Sequence, residues 1–130
     1  VQGDGGLASG RGTWREAVEV MAEYGAAVAG FSTLATPDQA RGLADAARET
    51  LEARGADLCL MATLQVFQRD AKQQGPTTEN PYYSPDTMMP TALELRAAGV
   101  QFLRAAGQAT PAYTGVLAAT VAGLDVAPVL

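Results

Sequence analysis

Residues 51–67, LEARGADLCLMATLQVF, decide the fold: the same apolar side chains read either as the second half of a long helix or as a separate segment after a break at Gly55. Upstream, Thr36 supplies an N-cap, Pro37 the first helical position and Gln39 a side chain that reaches back to the cap. A helix therefore begins at Pro37. Leu43, Ala47 and Leu51 recur at helical spacing, and Leu58 and Met61 keep the stripe, although Arg54 occupies an expected apolar place and Gly55 follows it. Two readings stay open here: a stop at Gly55 with Arg54 favourably near the C-terminus, or one helix with a weak point running to about Gln73. Continuity is the expectation adopted, since residues 58–67 are strongly apolar and no cluster of turn residues intervenes.

Working outward, Thr13 and Glu16 form a capping-box pattern. Trp14, Val18, Met21, Gly25 and Val28 follow at 4-3-4-3 spacing, which predicts an amphipathic helix ending within residues 31–35. Met88, Ala92, Leu95, Gly99, Phe102 and Ala106 predict a third helix in the same way. Thr110 and Pro111 repeat the cap-plus-proline grammar of Thr36 and Pro37 and open a fourth, ending near Gly123. No charge falls between residues 110 and 124, so that helix lacks a polar face and is expected to be buried in its own bundle or in a neighbour. Between helices two and three, Pro76, Pro81, Pro85 and Pro90 mark one long loop over 75–90, and residues 126–130 read as a short extended tail. Residues 1–12, rich in glycine and poor in apolar side chains, read as a flexible arm. The expected architecture is all-α: a four-helix bundle or helical array, with residues 13–130 as a single helical domain.

Composition narrows the function classes. Hydrophobic residues make up 48% of the 130-residue chain and charged ones 18%, below the roughly 25% usual for globular domains, so the surface is sparsely charged and some of it needs a partner. The net charge of −5, with scattered arginines, opposes nucleic-acid binding. Threonines and glycines dilute the last helix and Asp125 interrupts it, which argues against a transmembrane span. No secretory signal is visible, so a soluble, cytoplasmic protein is expected, with an N-terminus open to processing because the first residue is Val1.

The chain has no histidine, which removes Ser-His and Cys-His nucleophile pairs, imidazole metal sites and the Glu-x-x-His pattern that Glu16, Glu19 and Glu23 would need. Asp4, Asp38, Asp45 and Asp57 do not build a calcium loop. Residues 3–8 match a loose dinucleotide pattern but have no strand before them. The lone Cys59, between leucines, reads as an apolar filler. Glu79 and Asp86 receive no catalytic role. No catalytic, metal or cofactor-binding residue is assigned and no cofactor is expected, which gives more weight to a non-catalytic role than to an enzyme.

The leading functional expectation is a non-catalytic helical assembly or interaction subunit of a homo- or hetero-oligomer, binding another copy or another helical protein. Its contact residues would be Tyr82 and Tyr83 on the loop with Tyr113, Val116, Leu117, Val121 and Leu124 on the last helix. One alternative is a small-molecule-binding or catalytic bundle. Its apolar pocket would be formed by Trp14, Met21, Met61, Phe67, Tyr82, Tyr83 and Phe102 and covered by the 75–90 loop. Another is an amphipathic coat on a hydrophobic surface.

Overall fold

The computed structural model describes residues 1–2, 4–7, 9–34, 36–66, 82 and 84–122, and in it helices alternate with strands. The elements are α1 (Trp14–Glu23), β1 (Val28–Thr33), α2 (Pro37–Arg54), β2 (Cys59–Val66), a 3-10 turn (Pro85–Met88), α3 (Met89–Ala97), β3 (Phe102–Gly107) and α4 (Pro111–Ala122). The strands form one parallel sheet in the order β1-β2-β3, with Gly30 beside Met61 and Met61 beside Phe102 in the central row. The molecule is therefore mixed α/β, and the all-α bundle expected from the apolar spacing is overturned.

The break at Gly55 is the alternative that holds. Gly55 adopts the left-handed conformation at φ +64°, and the Ala56 amide donates to the Leu51 carbonyl five residues back, which closes the helix end. Gly25 and Gly99 do the same: the Ala26 amide donates to Met21 and the Val100 amide to Leu95. In each case the chain leaves the glycine as a strand within four residues. The first and third predicted helices thus end at residues 23 and 97, and their supposed later turns are β1 and β3. The second ends at Arg54, and its expected continuation is replaced by β2 over Cys59–Val66, while residues 67–73 of the expected run lie outside the described residues.

Where caps were strong, helices start as expected. The Thr13 hydroxyl accepts from the Glu16 amide, and Thr36 and Gln39 exchange both bonds of a capping box. The arginines close other ends: Arg48 Nη1 donates to the Ala98 carbonyl after α3 (2.9 Å) and Arg96 Nη1 to Thr120 in α4 (3.1 Å).

The core lies between the sheet and the helices. Ala29, Phe31 and Thr33 of β1 and Leu60, Ala62, Leu64 and Val66 of β2 are buried, as are Ala40, Leu43, Ala44, Ala47 and Leu51 of α2. Trp14 packs against Phe31 with ring centroids 5.0 Å apart and donates from Nε1 to the Leu43 carbonyl (2.9 Å), tying α1, β1 and α2 together. α1 packs on α2, α2 on α3 and α3 on α4, so the described helices form a continuous row, and Trp14 of α1 against Phe31 sets that row on the buried side of the sheet. At the amino end, amides of Gln2, Gly5, Leu7 and Gly10 donate within residues 2–12, and the Val1 ammonium donates to the Ser32 carbonyl (2.7 Å). Among the described residues no helix is long and apolar enough to cross a membrane.

Candidate functional site

Alternation along each strand sends every second side chain away from the helix layer. On that outer face stand Val28, Gly30 and Ser32 of β1; Cys59, Met61, Thr63 and Gln65 of β2; and Phe102, Arg104 and Ala106 of β3, matched row by row by the parallel register. The amino-end rows are apolar: Val28 beside Cys59, then Gly30, Met61 and Phe102. Beyond them lie Ser32, Thr63 and Arg104, then Gln65 and Ala106, with Gln65 Nε2 donating to Ser32 Oγ (2.6 Å). A lengthwise gradient results, apolar at one end and polar at the other, with Arg104 the only charged side chain among these ten.

Exposure shows that the apolar end of this face is open, while Thr63 in its polar part is buried. Phe102 is 51% exposed and Val28 41%, and Cys59 and Met61 are half-buried, whereas their helix-side neighbours Leu60 and Ala62 are fully buried. The methyl end of Met61 leans across Gly30, where an added Cβ would lie 3.0 Å from it, so a side chain at Gly30 would push Met61 aside. Parallel sheets ordinarily carry helices on both faces, because strands shielded on one side only leave apolar side chains in water.

A second surface adjoins the first at Phe102. A groove of about 510 Å³ runs between β3 and α4, lined by Leu103, Ala105, Thr114, Leu117, Ala118 and Val121, with Phe102 and Arg104 on its outer side. Val121 is 47% exposed there.

The residues singled out from sequence fall in different places. Tyr82, Tyr113, Val116 and Leu117 are buried. The Tyr113 hydroxyl donates to the Tyr82 carbonyl (3.0 Å) and the Tyr82 hydroxyl to Thr91 Oγ1 (3.4 Å), so the two tyrosines fasten the entry to α3 against α4. Burial raises the pKa of both phenols above the ordinary tyrosine value, and the Asp86 carboxylate adds to the rise at Tyr113. Of the expected contact residues, Val121 alone is exposed, while Tyr83 and Leu124 lie outside the described residues. The aromatic pocket of the alternative reading is not assembled by its described members: Trp14 and Tyr82 are core, Met61 and Phe102 stand on the open face, and Phe67 lies outside the described residues. Sequence reading missed Val28 and Arg104 on this face and took Cys59 for a core filler. The available signal was the break at Gly55, which turns Cys59, Met61, Thr63 and Gln65 from a helical stripe into alternate positions of a strand. The chain matches no known family model and no curated protein sequence.

Proposed function

We propose that this chain is a non-catalytic interaction module whose partner covers the outer face of the parallel sheet. The observation that carries the reading is a parallel sheet with helices, among the described residues, on one face and a half-exposed Phe102 in the central row of the other. Phe102, Met61 and Val28 supply the apolar contact, and Arg104 with Ser32 and Gln65 supplies a polar margin that fixes orientation. The contact expected on α4 moves to β1, β2 and β3, since three of the α4 residues are already buried within the chain.

The test compares the wild type with a Met61→Asp/Phe102→Asp variant by light scattering across concentration and by recovery of partners from the native source. The wild type should self-associate or retain a partner that the variant loses, with both proteins giving the same circular dichroism spectrum. A wild type that stays a compact monomer at high concentration and recovers the same proteins as the variant overturns the reading.

A further inference from the structure

Packed helices lie about 8–10 Å apart and paired strands about 4.8 Å apart, so four helices in a row span roughly 25–30 Å above outer strands only about 10 Å apart. Because α1, α2, α3 and α4 pack in sequence, the helix layer is wider than the sheet and α4 flanks the free edge of β3. The 510 Å³ groove is the space so created. β3 pairs with β2 alone, and no other hydrogen bond from the described residues reaches its outer edge. No proline interrupts its sequence FLRAAG, and its one charged side chain is Arg104.

We propose that this groove accepts an extended segment of a partner protein as a fourth strand beside β3, with apolar side chains turned towards α4 and carboxylates towards Arg104. The proposal rests on the interaction-module reading and gives the partner a chemistry. The row of unpaired N–H and C=O groups selects an extended backbone, because a helix laid in the groove would cover those groups without bonding them. Leu103, Ala105 and the exposed Ala118 and Val121 select apolar residues at alternate positions. Arg104 selects acid at the others: no carboxylate of the described residues forms an ion pair with it, and opposite charges on neighbouring strands favour pairing. A second copy is a poor occupant, since two-fold pairing of β3 with itself would bring two α4 helices into the same space.

The test is fluorescence anisotropy with a labelled hexapeptide alternating glutamate and valine, long enough to match the six residues of β3. Saturable binding is expected, falling at least tenfold for Arg104→Glu, and that variant should prefer the lysine-valine counterpart by a similar factor. N-methylation of the peptide amides that face β3 should abolish binding. Val20→Asp, an exposed position on α1 outside both surfaces, should leave peptide binding unchanged, and partner recovery by Met61→Asp reads the open face separately, so failure of the strand proposal is distinguishable from failure of that reading. The proposal is overturned if the peptide does not saturate at millimolar protein, if the N-methylated peptide binds equally, or if Arg104→Glu does not alter charge preference. It also falls if the wild type dimerises and the peptide dissolves the dimer, which would identify a second copy as the occupant.

Discussion

Gly107, the last residue of β3, has φ +75°, and a Cβ built there would lie 2.6 Å from the Val66 carbonyl oxygen. Because that contact is backbone, a flexible side chain cannot relieve it, and Gly107→Ala should cost about 1–3 kcal/mol. Gly115 offers the contrast: it lies within α4, and a methyl group added there would meet nothing within 4 Å, so Gly115→Ala should stabilise by up to about 1 kcal/mol. Urea denaturation of the two variants beside wild type checks both signs. The buried phenols give a prediction in pH. With folded pKa values raised above 10.0, Tyr82 and Tyr113 contribute stability that is complete below the unfolded tyrosine pKa and is lost as pH climbs through their folded values. Spectrophotometric titration should therefore show late-ionising tyrosines and a parallel loss of stability above pH 10. Asp86→Asn should bring Tyr113 down only in part, since burial is the larger cause and the carboxylate the smaller.

At the scale of elements, two punctuation marks organise the chain. Glycine ends α2 and opens the way into β2, and a Thr-Pro pair starts α2 and precedes α4. Removing the first capping box by Thr36→Ala should cost about 1 kcal/mol, measured by thermal or urea unfolding. These helix starts were legible in the sequence because a cap is local chemistry, complete within four residues. The strands were not, and β2 shows why. Its residues CLMATLQV include leucine, methionine and alanine, which favour helix, and it lacks the regular polar alternation that marks a half-buried strand. Alternation fails at Cys59 and Met61, the outward positions at the apolar end of the open face. The misreading and the candidate site therefore have one cause: a strand with apolar residues on both sides. For β1 and β3 the deciding signals were Gly25 and Gly99, which fit an apolar helical stripe by spacing and are instead its terminators.

For the molecule as a whole, the consequence is a sheet that the described helices cover on one face. Among the strands β2 alone is paired on both edges, so its amides should exchange slowest, and the amides on the outer edge of β3 should exchange much faster despite lying in the same sheet. Hydrogen exchange read by NMR checks this ordering, and addition of the glutamate-valine peptide should protect the β3 set selectively. Phe102→Asp should change the stability of the free chain by no more than about 0.5 kcal/mol, the usual range for an exposed position, because Phe102 is half in water already. Chemical denaturation separates that small cost from the effect on association. The described residues contain one cysteine, Cys59, and the fold sets it at the amino end of the middle strand, on the uncovered side beside Val28. Any molecule settling over that side must hinder the approach of iodoacetamide to the thiol. The protein thus carries its own occupancy gauge: the ratio of alkylation rates, bare against bound, reads how often the sheet is capped with no cysteine having to be introduced.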